Sequence, residues 1–193
     1  RYMERLIVLG TGTCTVTKCF NTCFVLSDKN DNFLVDTGGG VGLLLTLKTT
    51  GIDVNTIHDV FISHKHIDHL FGLFFLIREI EKILDSSKYQ GNLNIYCHEE
   101  LASTIEIIFN LTLQKRFMKL LGTRFIINIV KDKDILNILG YRVMFFDIHS
   151  KGDMQFGFKL KLNNQKDLVF FGDEPINEIN YGLAKNIDWL LAE

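Results

Sequence analysis

Short apolar runs bounded by glycine and polar turns alternate along the chain with longer stretches in which apolar residues recur at helical spacing. Leu6-Ile7-Val8-Leu9 reads as a buried first strand, short and continuously apolar, and Gly10-Thr11-Gly12-Thr13 turns it. Asn21 to Leu26 and Phe33-Leu34-Val35 read as a hairpin pair across the polar turn Asp28-Lys29-Asn30-Asp31-Asn32. Asp36-Thr37-Gly38-Gly39-Gly40 ends the second strand and leads into an apolar helix through about Thr46. After the apolar run Asp59-Val60-Phe61-Ile62, the stretch Leu70 to Leu84 carries a helical stripe, with Arg78, Glu79, Glu81 and Lys82 on its polar faces. Leu93-Asn94-Ile95-Tyr96 is a further strand, and Glu99 and Glu100 begin a helix. From Leu101 to Leu121 the apolar positions predict a core-facing helical pair, with a lid or dimer face as the alternative. Thr123 to Val130 and Tyr141 to Ile148 are expected as strands of a second sheet, followed by Leu168-Val169-Phe170-Phe171 and a closing apolar strand from Asp188.

This order of elements, in 193 residues that are 47% hydrophobic with 15 glycines, suits one α/β domain, residues 1–193. No apolar run reaches the roughly 18–20 uncharged residues of a membrane span. No basic-then-apolar leader with a cleavage site opens the sequence, so secretion is not indicated. Cys14, Cys19, Cys23 and Cys97 form no Cys-x-x-Cys pair and are expected as free thiols in a reducing cytoplasm. The formal net charge of -2 does not advertise a nucleic-acid binder. Lys115, Arg116, Lys119 and Arg124 are read as a solvated face, with a phosphate-steering patch as the sharper alternative.

The chemistry concentrates in Ser63-His64-Lys65-His66-Ile67-Asp68-His69, where three imidazoles and a carboxylate fall within six positions between an apolar run and a helical stretch. Such a strand-to-helix turn is where open α/β sheets place their sites. Side chains two apart in an extended segment point the same way, so His64 and His66 can grip one metal. As the chain curls into the helix, Asp68 and His69 turn toward a second position, as in dinuclear sites with metals roughly 3.5–4 Å apart. The His-Glu-x-x-His pattern of helix-borne zinc proteases is absent. The glycines at 10 and 12 favour a tight turn over dinucleotide binding, since the third glycine is missing. His98, without companion ligands at informative spacing, reads as a surface histidine.

Ser63-His64-x-His66-x-Asp68-His69 followed by Gly72-Leu73 resembles the signature of the metallo-β-lactamase superfamily, and with its flanks it is most similar to the ribonuclease Z branch. The resemblance implies a four-layer αββα sandwich. It also implies an Asp-x-Gly turn beneath the metals, matched by Asp36-Thr37-Gly38, with Asp36 accepting hydrogen bonds and orienting a ligand loop. Capping of the next helix is the alternative for Asp36. Relatives place a histidine-led turn before a Phe-Gly-aromatic strand, and Phe156-Gly157-Phe158 makes His149 the implied third ligand beside His64 and His66. Gly172-Asp173 resembles the turn that carries the bridging carboxylate, so Asp173 would span both metals; Glu174 departs from the small hydroxyl residue usual there.

The implied activity is that of a metal-dependent hydrolase, a phosphodiesterase or ribonuclease Z-like enzyme with two Zn²⁺ sites, Mn²⁺ or Fe²⁺ being alternatives. Asp68, or a residue past Glu193, is expected to handle protons, and RNA ends or small nucleotides are the expected phosphodiester substrates. Val16-Thr17-Lys18-Cys19-Phe20-Asn21 departs from the tRNA-processing pattern, keeping Lys18 and Asn21 but lacking its proline and arginine. Relatives supply a further histidine beyond the position of Glu193, so Asp68, His69 and Asp173 are expected to be one protein ligand short, through either a truncated or partly ordered C-terminus or a weak second site. Hydrolysis of another ester, or an inactive metal-binding module, is the alternative function. A homodimer stays open.

Overall fold

The computed structural model describes residues 4–84 and 88–192. A first sheet of six strands runs in the order β1 (Arg5–Gly10), β2 (Cys23–Asp28), β3 (Asp31–Val35), β4 (Ile57–Phe61), β5 (Leu93–Cys97) and β6 (Phe125–Ile129). Its first two pairings are antiparallel and the other three parallel. Helices α1 (Gly42–Thr49), α2 (Ile67–Leu84) and α3 (Glu99–Thr112), with the single turn α4 (Lys115–Met118), carry the crossovers that parallel pairing requires. A second sheet orders β11 (Trp189–Leu191), β10 (Asp167–Phe170), β9 (Phe156–Lys161), β8 (Tyr141–Asp147) and β7 (Ile135–Ile138).

Alternation along the strands builds the layers. Phe24, Leu26, Phe33, Val35 and Phe61 of the first sheet meet Val143, Phe145, Phe158 and Phe170 of the second in one buried cluster. Their neighbours Val25, Leu34 and Val60 face the other way, onto Leu43 and Leu47 of α1, Leu70, Leu73 and Ile77 of α2, and Ile105 of α3. Val169 and Phe146 point outward from the second sheet toward Leu183 and Ala184 of the short helix α5 (Tyr181–Ala184). These are the four layers of the αββα sandwich. Strands such as β10 read as unbroken apolar runs because both of their faces are covered. No helix among the described residues is long and apolar enough to cross a membrane.

Two elements differ from the sequence reading. The first strand lies at a sheet edge and is largely open, with Val8 51% exposed and only Leu9 buried. The run around Phe125–Ile129 belongs to the first sheet, where it pairs in parallel with β5, rather than to the second.

The site is fixed by a close approach of α2 to the turn after β3. Gly72 donates its N–H to the Gly38 carbonyl at 2.8 Å, and Thr37 donates both its N–H and its hydroxyl to the His69 carbonyl at 2.9 and 2.6 Å. A Cβ at Gly72 would stand 1.9 Å from the Thr37 carbonyl oxygen, so only glycine lets the helix start here.

Candidate metal centre

The loops leaving β3, β4 and β10 bring Asp36, the His64–His69 segment and Asp173 together at one rim of the sandwich. Helix α2 begins at Ile67, so Asp68 and His69 occupy its first turn while His64 and His66 lie in the preceding extended stretch. His64 Nε2 is 3.0 Å from His66 Nδ1 and 3.7 Å from Asp173 Oδ2. His69 Nε2 is 2.7 Å from the same Asp173 oxygen and 3.5 Å from Asp68 Oδ2. Two groups of potential metal ligands result, His64, His66 and Asp173 in one and Asp68, His69 and Asp173 in the other, with ligand atoms in each within 4.8 Å of one another.

The outer nitrogens fix how the rings point. Asp36 is wholly buried at a positive φ of 55°, a strained conformation for a non-glycine residue. Its Oδ1 accepts from the Ser63 backbone N–H at 2.8 Å, and its Oδ2 lies 2.8 Å from His69 Nδ1. The Ser63 hydroxyl is 2.8 Å from Asp36 Oδ2 and 2.9 Å from His64 Nδ1. A carboxylate only accepts, so the hydroxyl spends its proton on Asp36 and must receive one from His64 Nδ1–H. His66 Nε2 is 3.1 Å from Asp153 Oδ2, which likewise places its hydrogen on Nε2. In the neutral rings, the inward nitrogens are therefore Nε2 of His64, Nδ1 of His66 and Nε2 of His69, each with a lone pair. Helix α1 is not capped by Asp36, since Val41 stands at its N-cap.

This arrangement fits divalent cations. His64 Nε2 and His66 Nδ1 face each other at 3.0 Å as two acceptors, and Asp173 Oδ1 is buried without a hydrogen-bond partner among the described residues. A cation held here would satisfy the two nitrogens and take a carboxylate oxygen of Asp173. Burial, then the charge of His69, lowers the His64 pKa to about 4, which keeps this ring neutral as a ligand must be. Burial acts to lower the His69 pKa too, but Asp36 and Asp173 on either side outweigh it together and raise the value to about 11. With no cation bound, a proton on His69 Nε2 takes the place a metal would hold against Asp173.

His149, the implied third ligand, lies outside both groups. Its φ is 56°, its N–H donates to Asp147 Oδ1 at 2.7 Å, and its ring Nδ1 sits 3.6 Å from Asp147 Oδ2. Glu174 accepts from the Ser150 hydroxyl at 2.8 Å and so ties the Asp173 turn to the loop that His149 opens. Asn21 spans the rim, donating to the Thr13 carbonyl and accepting from the Gly39 N–H. His98 is not a surface residue. It is 3% exposed, caps α3 by accepting the Leu101 N–H at 3.3 Å, and packs on Phe156 with ring centroids 5.5 Å apart. Of the basic cluster, Arg124 donates to the Gly91 carbonyl and Arg116 stacks on Phe117. The four cysteines are free.

A family model described as Anti-Pycsar protein Apyc1 matches residues 4–190. The chain belongs to that family. Among curated proteins, this Apyc1 family member is similar to ribonuclease Z of Phocaeicola vulgatus, 32% identical over 95 residues that make up 49% of this chain and 29% of that enzyme. The matched part thus spans less than a third of that relative's length. Among solved structures, the metallo-β-lactamase fold protein YhfI of Bacillus subtilis superposes with a TM-score of 0.77 at 18% identity, covering 97% of this chain and 70% of the other. Human tRNase Z, short form, superposes at 0.65 with 17% identity, covering 98% and 84%. The metallo-β-lactamase fold and the ribonuclease Z-like relationship expected from the heptad both hold.

Proposed function

We propose that residues 1–193 form a metal-dependent phosphodiesterase domain that uses two divalent cations to activate water against a phosphodiester, either an RNA end or a small nucleotide. The observation that carries this reading is Asp173, one carboxylate shared by two groups of ligand atoms. A shared carboxylate offsets repulsion between neighbouring dications and keeps both beside one reacting phosphoryl group. Similarity to ribonuclease Z supports a phosphodiester as the substrate class. Zn²⁺ is the proposed ion, with Mn²⁺ or Fe²⁺ accepted by the same donors.

When bound, the cations supply Lewis acidity that brings water toward ionisation near neutral pH and stabilises charge on the attacked group. His64, His66 and Asp173 would hold one ion, and Asp68, His69 and Asp173 the other. His149 joins the first group by turning its half-exposed ring away from Asp147. Asp68, 6% exposed at the start of α2, takes the proton of the attacking water on its carboxylate. Beside His66 lies a cavity of about 390 Å³ with Glu100, Asp147, His149 and Asp153 in its wall, within the size range of small-molecule sites. Its acidic wall suits the hydroxyl and amino donors of a nucleoside while the cations take the phosphate.

The test is turnover of bis-p-nitrophenyl phosphate, cyclic and linear dinucleotides, a precursor tRNA and a β-lactam, with Zn²⁺ or Mn²⁺ in excess. Metal-dependent cleavage of a phosphodiester is expected. Stoichiometric metal binding without turnover of any substrate points instead to a binding module, and cleavage of the β-lactam alone to another hydrolase class.

A second copy of the chain is the proposed partner for the uncovered apolar face of Val41 and Leu45 at α1 and Ile67, Phe71 and Phe75 on α2, all at least 40% exposed. Light scattering that finds a dimer which Phe71→Asp dissociates is expected. A wild-type monomer at tens of micromolar overturns it.

A further inference from the structure

We propose that Asp153 is a positioning residue for His66, holding the exposed imidazole with Nδ1 turned toward the cation; this rests on the metal-dependent reading above. The three imidazoles of the heptad are not held alike. His64 and His69 are buried, and Asp36 serves both, one through Ser63 and the other directly. The His66 side chain is 50% exposed, and among the described residues its outer nitrogen meets only Asp153, at 3.1 Å. Without that contact the ring can rotate into solvent, and its lone pair is lost to the group formed with His64 and Asp173.

The carboxylate is itself committed at both oxygens. Its Oδ2 takes the His66 Nε2 hydrogen, and its Oδ1 lies 2.6 Å from the ammonium of Lys65, the residue between His64 and His66. Lys65 thus has a definite place in the heptad: its ammonium pins the residue that aims His66. Asp153 also lies in the wall of the cavity beside the site. The same side chain therefore sets a ligand ring and a face of the cavity, and it ties the loop between β8 and β9 to the heptad through both Lys65 and His66.

The test is binding of Mn²⁺ to the whole chain, by titration calorimetry and electron paramagnetic resonance, in wild type, Asp153→Ala, Asp153→Asn and Lys65→Met. For Asp153→Ala one of the two binding events, that of the His64, His66 and Asp173 group, should lose about 10–100-fold in affinity, the usual effect of removing a carboxylate behind a ligating histidine. The other event should be unchanged. Asp153→Asn keeps an acceptor for His66 and should recover most of the loss, with Lys65→Met between. Metal-free melting temperatures should stay within about 2 °C of wild type, because the contact is exposed. An Asp153→Ala protein with both wild-type affinities, or one in which both events weaken together with a lowered melting temperature, overturns the inference and leaves the functional reading standing. A wild-type chain that binds no divalent ion overturns both.

Discussion

His69 Nδ1 lies 2.8 Å from Asp36 Oδ2, with each side chain only 1% exposed. Because the same carboxylate also receives the Ser63 N–H and hydroxyl, one buried residue orients two imidazoles of the site. Asp36→Ala leaves these donors unpaired in the interior and should cost about 3–5 kcal/mol, the range for breaking a buried charge pair. Asp36→Asn keeps one acceptor oxygen and tolerates the positive φ better than alanine, so it should cost less. Urea unfolding of the metal-free proteins checks the order; equal stability of all three refutes the role.

Metal binding should release a proton. His69 has a pKa of about 11 in the cation-free protein and must be neutral to ligate, whereas His64, at about 4, is already neutral at pH 7. The group at His69 should therefore bind tighter as pH rises, by about tenfold per unit between pH 7 and 9. For folding the sign is the reverse. A histidine raised above its ordinary value stabilises the metal-free chain fully below pH 6.5 and loses that contribution as pH climbs toward about 11. Titration of Zn²⁺ into weakly buffered protein with an indicator dye reads the proton directly. A binding constant flat across this range contradicts the assignment.

Gly72→Ala should unfold the protein more readily and loosen the metal centre together. The added methyl meets the Thr37 carbonyl at 1.9 Å, backbone against backbone, so α2 must lift and carry Asp68 and His69 with it. A loss of about 1–3 kcal/mol is expected from overpacking. Gly182→Ala, in α5 with open space around it, should gain about 0.5–1 kcal/mol by helix propensity. Thermal melts of both variants, with a chelator competition on Gly72→Ala, test the pair. Unchanged metal affinity in Gly72→Ala counts against the link between this contact and the site.

These contacts show why some of the site can be read from the sequence and some cannot. The heptad is local, so its ligand types and spacing are visible before folding, as are the strands whose two faces are both covered. Asp153 stands 87 residues from His66 in a polar loop, and a single aspartate there carries no signal until the sheets bring the loops together. His98 next to Glu99 and Glu100 has the pattern of an exposed helix start; its ring nitrogen does the capping usually done by a short polar side chain, which hides its burial. The apolar run of β1 cannot announce that it sits at an edge. Nor does β6 reveal which sheet it joins, since the helical crossover before it decides that, and β7, with three exposed residues of four, shows no clear pattern.

The buried carboxyl of Asp59 sets the last prediction. It is 8% exposed at the end of the inter-sheet core, and its Oδ1 accepts from the Tyr96 hydroxyl at 2.9 Å and from Asn94 Nδ2 at 3.2 Å. Burial, the largest influence, raises its pKa against these two hydrogen bonds. A carboxyl raised above its unfolded value contributes stability that is complete below the unfolded pKa and is lost as pH rises through the folded one. At pH 7 the ionised form is therefore a net cost. Asp59→Asn cannot ionise, keeps Oδ1 for both donors, and replaces only Oδ2 with an amide. Its melting temperature should exceed that of wild type at pH 7. The gain should vanish near pH 3, where wild type is protonated in both states. An advantage that is independent of pH would mean that the amide gains from packing rather than from the missing charge, and a loss at pH 7 would mean that the ionised carboxylate stabilises this end of the core.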